Sequence, residues 1–104
     1  RYIECEVARL MAYNVAYMHG QGLVPNKEAS MSKVFGSEAL KRVTAASMEV
    51  LGIYGVLGRD EKWAPLKGRV PEHWMISFSH TIAGGTSEVQ RNIIAGRGLG
   101  LPRG

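Results

Sequence analysis

An all-α fold, part of an antiparallel helical bundle, is what this sequence predicts. Three observations carry that reading. Apolar side chains recur at steps of three and four over two long stretches, no stretch alternates with period two between turns, and no internal repeat or low-complexity tract intervenes. At 104 residues the chain has room for one small domain with a single modest core.

The first helix is expected over Tyr2 to His19, where Ile3, Val7, Leu10, Met11, Val15 and Met18 share one face. Gly20 and Gly22 suit its exit, and His19 stands in the last turn, where a helix dipole favours positive charge. Pro25-Asn26 breaks the chain and restarts it, with Asn26 as the expected N-cap and Glu28 in the first turn. The second helix carries Met31, Val34, Phe35, Ala39, Val43, Ala46 and Val50 on one stripe. Leu40, Met48 and Leu51 extend its apolar surface, so its second half is expected to be the more buried.

From Leu51 to Trp74 the glycines and prolines forbid a continuous helix, and a long irregular connection is expected, with Trp63, Pro65 and Leu66 in ordered packing, within the chain or against something outside residues 1–104. A short third helix fits Glu72 to Ile82. A last one fits Ser87 to Ala95, before Gly96, Gly98, Gly100 and Pro102 end it. Ser87-Glu88-Val89-Gln90 matches a capping box, in which the serine hydroxyl and the glutamine amide each satisfy a backbone donor.

Composition narrows the function classes. A hydrophobic share of 45% and a charged share of 21% are those of a globular protein, and no apolar run approaches the ~20 residues of a membrane span. The net charge of +4 comes from basic residues scattered along the chain, which argues against nucleic acid while leaving phosphate-bearing small molecules open. Cys5 is the sole cysteine and has no disulfide partner; with no targeting segment visible, a cytoplasmic, reducing setting is expected. His19, His73 and His80 lack the spacing of metal ligands, so no metal is expected. Because Arg1-Tyr2-Ile3-Glu4 already reads as helix, the chain is expected to be an excerpt of a longer polypeptide.

The stretch of chemical interest is Gly84-Gly85-Thr86-Ser87. Two residues without a Cβ let a ligand approach the start of a helix, whose free N–H groups favour anions, although a plain capped turn is the commoner use of such a string.

The wider string "IAGGTSEVQRNIIAGRGLGLPR" resembles the C-terminal signature of the acyl-CoA dehydrogenase family, and "VARLMAYNVAYM" and "MEVLGIYG" fall at the distances that family shows. The resemblance implies that residues 1–104 are an incomplete part of that family's C-terminal four-helix bundle. It also implies FAD as cofactor, oxidation of the α,β bond of an acyl-CoA thioester, electron-transfer flavoprotein as partner, and a homo- or hetero-oligomer. In that chemistry a carboxylate takes the α proton while hydride leaves the β carbon, and two donors hold the thioester carbonyl.

Many relatives read Tyr-Glu-Gly-Thr where this chain has Ala83-Gly84-Gly85-Thr86, and the glutamate is their base. Gly84 cannot remove a proton, yet its N–H remains able to donate to the carbonyl, so the resemblance assigns no catalytic residue here. Three explanations follow: a glutamate on a helix before Arg1, a related subunit that carries the working chemistry, or flavin monooxygenation on the same fold. A helical interaction module without catalysis is the reading from another class.

Carried over by the resemblance, Thr86, Ser87 and Glu88 contact FAD, and Gly84 and Gly85 line the substrate. Glu49-Val50-Leu51-Gly52-Ile53 stands where the family has Gln-x-x-Gly-Gly, which places Glu49 and Gly52 against the FAD of a neighbouring subunit. For Gly52 the helix-ending glycine is the stronger reading, and Glu88 is equally a first-turn carboxylate. Arg91 and Arg97 are phosphate partners or solvated; Trp74, Met75, Ile76 and Phe78 are an acyl pocket or ordinary core.

Overall fold

The structure, a computed structural model, describes residues 1–102; Arg103 and Gly104, which end the signature string and the expected domain, lie outside them. Four α-helices follow in order: α1 Tyr2–Gly20, α2 Asn26–Leu51, α3 Arg69–His80 and α4 Ser87–Ile93. Helix α2 is the common support, since α1, α3 and α4 each make their principal contacts with it. Glu4 meets Arg42 at one end of α1 while Met11 and Asn14 lie beside Glu28 and Met31, so α1 runs antiparallel to α2. Helix α3 is antiparallel too: Thr44 faces Ser77, and further back along α2 Lys33 and Ser37 lie near His80 and Ala83.

Helix α1 ends as its glycines predict. Leu23 N–H donates to the Met18 carbonyl and Gly22 N–H to the His19 carbonyl, both at 3.0 Å, with Gly22 in the left-handed region at φ 75°. This is a Schellman closure. The start of α2 differs from expectation: Pro25 holds the N-cap position without a side-chain bond, and Asn26 is already the first helical residue. Proline satisfies the site by having no N–H to leave unpaired.

Helices α2 and α3 approach through small polar residues. Ser77 is completely buried, donates to the Trp74 carbonyl at 2.6 Å and accepts from the Thr44 hydroxyl at 3.3 Å. On the flank, Trp74 and Phe78 meet edge to face at 5.3 Å, and the Lys41 ammonium lies 4.7 Å from the Phe78 ring centre.

Among the described residues, Ala39 is the only buried hydrophobic side chain. The expected apolar stripes are incompletely covered: Ile3 is 75% exposed and Val50 86%, while within α2 two of the three buried residues, Ala39 and Thr44, lie in the second half and Ser30 in the first. The chain is a slab of 53 × 32 × 21 Å with a radius of gyration of 16.9 Å, against roughly 13 Å for a compact domain of this length. Its accessible surface of 7436 Å² likewise exceeds the roughly 5,800 Å² of a compact protein of this mass.

The connection between α2 and α3 holds a 3₁₀ turn at Gly52–Val56 and, within Pro65–Gly68, a left-handed run through Leu66 at φ 50°, Lys67 at φ 57° and Gly68 at φ 68°. It is pinned where Gly68, at φ 68°, crosses the backbone of Gly58; a Cβ on Gly68 would lie 2.4 Å from the Gly58 carbonyl carbon. Arg59 Nε donates to Glu72 at 2.8 Å and ties the connection to α3. Trp63 and Leu66 are not covered by this chain: they are 71% and 72% exposed. Helix α3 starts three residues earlier than expected and stops at His80, and α4 stops at Ile93, where one π turn over Ile94–Gly98 takes over.

Candidate functional site at the glycine pair

The sequence between α3 and α4 makes a tight reversal. Ala83 N–H donates to the Ser79 carbonyl at 2.8 Å and the Thr81 hydroxyl to the Phe78 carbonyl at 2.8 Å, closing the end of α3. Gly84 and Gly85 then take φ 70° and 101°, a pair of conformations that side chains rarely adopt. Thr86 returns to extended backbone and caps α4, its hydroxyl accepting from Val89 N–H at 3.3 Å.

The capping box expected at Ser87 does not form. The cap lies one residue earlier, Ser87 is buried inside the first turn, and Gln90 donates its side-chain amide not to the cap residue but to the Gly84 carbonyl, at 2.8 Å. From α2, the half-buried Lys33 ammonium donates to the Gly85 carbonyl at 2.5 Å. Sequence reasoning missed Lys33 altogether, because 52 residues separate it from its partner. Gln90 was visible only as a capping residue.

Two grooves flank this turn. One, of about 600 Å³, runs between Lys41 and Arg42 of α2 and Ser87, Glu88 and Arg91 of α4, with Thr86 on its wall. The other, of about 390 Å³, has Lys33, Gly36 and Leu40 on one side and His80 and Ala83 on the other. Thr86, Ser87 and Glu88 are thus brought together. Gly84 and Gly85 line neither groove, but a Cβ built on Gly84 meets nothing within 4 Å, so that face of the turn is open.

The charges around the first groove are partly paired. Arg91 donates to Glu38 at 2.7 Å and Arg42 Nε to Glu4 at 2.7 Å. The Glu88 carboxyl is held below the usual carboxylate range by its own backbone N–H first and by the Thr86 hydroxyl second, with Arg91 and Lys33 adding attraction. Hydroxyls and a backbone turn facing cations suit the polar parts of a dinucleotide cofactor such as FAD, so the residues present fit that group.

Glu49 and Gly52 lie elsewhere. Both are exposed and neither lines the groove; Glu49 is four residues beyond Ala45, the last groove residue on α2, about 6 Å along the helix. Gly52, at φ 56°, ends α2, as a terminating glycine does. Arg97 joins Met18, Asn26 and Lys27 around a separate cavity, and Met75, Ile76 and Phe78 are exposed. Among the described residues no cluster of three His, Cys, Asp or Glu side chains is placed to hold a metal, and no helix is long and apolar enough to cross a membrane.

Comparison with known proteins agrees with this architecture. The sequence profile described as acyl-CoA dehydrogenase, C-terminal domain, matches residues 2–99. The acyl-CoA dehydrogenase FadE26 of Mycobacterium tuberculosis is 43% identical over 76 residues, which are 73% of this chain and 19% of that protein. Among solved structures, the ChsE4-ChsE5 complex from Mycobacterium tuberculosis superposes with a TM-score of 0.90 at 37% identity, over 99% of this chain and 26% of that one. The Tcur3481-Tcur3483 steroid ACAD superposes with a TM-score of 0.95 at 26% identity, over 99% and 27%. The chain therefore spans about a fifth to a quarter of the length of these relatives. A profile match over nearly the whole chain, together with the shared arrangement of four helices, means that this chain belongs to the acyl-CoA dehydrogenase family.

Proposed function

We propose that these helices serve an FAD-dependent dehydrogenase that oxidises the α,β bond of an acyl-CoA thioester, and that the glycine pair is the wall against which thioester and cofactor meet. The observation that carries this reading is the open face of Gly84 beside the groove that gathers Thr86, Ser87 and Glu88. The chemistry that bound FAD supplies is acceptance of the hydride from the β carbon.

This chain's residues bind and orient. Thr86 and Ser87 offer hydroxyls to the cofactor, and Glu88, ionised and flanked by Arg91 and Lys33, is matched to sugar hydroxyls rather than to phosphate. The N–H of Gly84 donates to the thioester oxygen as enolate charge develops there. No carboxylate stands at position 84, so the α proton goes to a base on another segment or on a related subunit. Glu49 and Gly52, which do not line this groove, are assigned to the cofactor of a neighbouring subunit.

A hetero-oligomer is the assembly we favour, because the names of both solved neighbours join two components, and a steroid-bearing acyl group is the substrate class that one of those names supports. Electron-transfer flavoprotein is the electron acceptor in this reading, and the setting cytoplasmic. The absent carboxylate favours a second reading, in which this subunit binds FAD without turning substrate over.

Anaerobic titration of the full-length, FAD-loaded protein with straight-chain and steroid-side-chain acyl-CoA thioesters separates the two. Bleaching of the flavin absorbance is expected with at least one thioester. Tight FAD binding without bleaching establishes the noncatalytic subunit, and oxygen-dependent hydroxylation of substrate in a parallel incubation with air and a flavin reductant overturns the dehydrogenase reading.

A further inference from the structure

The glycine pair should be a poor donor platform. Glycine has the widest backbone freedom of any residue, and two in succession would let the turn wander, so that an N–H aimed at a ligand in one conformer is aimed elsewhere in the next. Polarising a carbonyl in the transition state requires donors already fixed in place. The structure holds this turn by its acceptors. The Gly84 carbonyl takes the amide of Gln90, a buried side chain, at 2.8 Å, and the Gly85 carbonyl takes the ammonium of Lys33 at 2.5 Å.

Those two bonds determine where the donors point. In a planar trans peptide the C=O and N–H of one unit face opposite ways. With its carbonyl held by Gln90, the Gly84–Gly85 unit must turn the Gly85 N–H away from Gln90. With its carbonyl held by Lys33, the Gly85–Thr86 unit must turn the Thr86 N–H away from Lys33. Both units being fixed, the Gly84 Cα is fixed as well; the Gly84 N–H belongs to the preceding Ala83–Gly84 unit, which neither bond holds, so the donors aimed by these two bonds are those of Gly85 and Thr86. Among the described residues no well-aligned hydrogen bond runs from any of these three N–H groups to a protein acceptor. Gln90 also selects the residue at 85, since a Cβ there would lie 2.6 Å from its Nε2.

We infer that Lys33 and Gln90 are positioning residues, which clamp the two glycine carbonyls from opposite helices and so hold the backbone donors of the turn ready for the thioester oxygen. This rests on the proposed reading that the turn meets a thioester. Neither side chain touches substrate in it; each acts through the peptide unit it holds. The arrangement also explains why a residue on α2, far away in the chain, matters to a turn between α3 and α4.

The test uses full-length, FAD-loaded protein and two probes carrying carbon-13 at the thioester carbonyl, octanoyl-CoA and a steroid-side-chain CoA thioester, read by isotope-edited infrared spectroscopy. Wild-type protein is expected to lower the carbonyl stretch of at least one probe on binding. Gln90→Met, close in length but without a donor, and Lys33→Met are each expected to lose at least half of that lowering. Lys33→Arg, which keeps a cationic donor, is expected to recover most of it. Where turnover is measurable, kcat should fall roughly 10- to 100-fold with KM changed less than about threefold, as for a misaimed donor. If Gln90→Met fails to load FAD, the Lys33→Met and Lys33→Arg pair decides. A lowering retained in full by the variants overturns the positioning role; no lowering of either probe by wild type overturns the thioester reading itself.

Discussion

Gly85 and Gln90 are fitted to each other: the side-chain amide of Gln90 fills the place where a Cβ on Gly85 would sit, 2.6 Å from it, while donating to the carbonyl of Gly84 next door. Gly84 has the same unusual φ sign but open space around it.

The two glycines should therefore differ in what alanine costs. Gly84→Ala carries only the strain of a side chain at positive φ, about 1 kcal/mol. Gly85→Ala adds displacement of Gln90 and loss of its bond, for a total of about 2–3 kcal/mol. Urea unfolding of the two variants in the full-length protein should rank them in that order; equal costs would mean that Gln90 does not occupy the turn.

Gly68→Ala is expected to cost more than either. Its obstacle is backbone, the carbonyl carbon of Gly58 at 2.4 Å, which cannot swing aside as a side chain does, and φ is again positive at 68°. Strain and overpacking together should reach about 3–4 kcal/mol. Hydrogen exchange confined to residues 52–72 would identify the damaged region, and a variant as stable as wild type would contradict the crossing.

Acid should loosen the helix contacts in a defined direction. Glu4 is held below the ordinary value of 4.5 by hydrogen bonds from Arg1 and then Arg42, and Glu72 by its hydrogen bond from Arg59. A carboxylate whose folded value is lowered contributes stability that is complete above its ordinary value and lost as pH falls through the folded one. The melting temperature is thus expected to be level above about pH 5 and to drop below pH 4.5, with a smaller drop in Glu4→Gln. Both carboxylates are half-buried and still reach solvent, so the effect should be modest and weaken with added salt.

The 104-residue chain by itself should not behave as a compact monomer. With Ala39 as the one buried apolar side chain among the described residues and a surface roughly 1,600 Å² larger than expected for its mass, it has more apolar face than it can cover. Sedimentation is expected to show self-association, or calorimetry a broad, weakly cooperative transition. A monodisperse monomer with a sharp melt would refute this.

Much of the fold is readable from spacing alone. The step of three and four in Ile3 to Met18, and in Met31 to Val50, marks α1 and α2 because helices expose one face every turn whatever packs on it. The same rule misleads about burial, since Ile3 and Val50 obey the pattern yet face solvent in this chain. The glycine turn was legible as local chemistry, and Thr86, Ser87 and Glu88 do come together in one groove. What could not be read was Lys33 on Gly85, or Gly58 against Gly68, because contacts between distant segments leave no trace in local periodicity. Gln90 illustrates the middle case: its type announced a bond at the start of α4, and only the geometry showed that the partner is Gly84.

A stretch of protein held together by so few greasy contacts of its own changes how sequence variation within it should be interpreted. Most replacements along the outward sides of α1 and α2 will leave the four helices standing and will be felt, if at all, by whatever molecule lies against them. A saturation scan would then sketch the outline of the neighbour, with the few intolerant spots inside, at Ala39, Thr44 and Ser77, marking where helix meets helix.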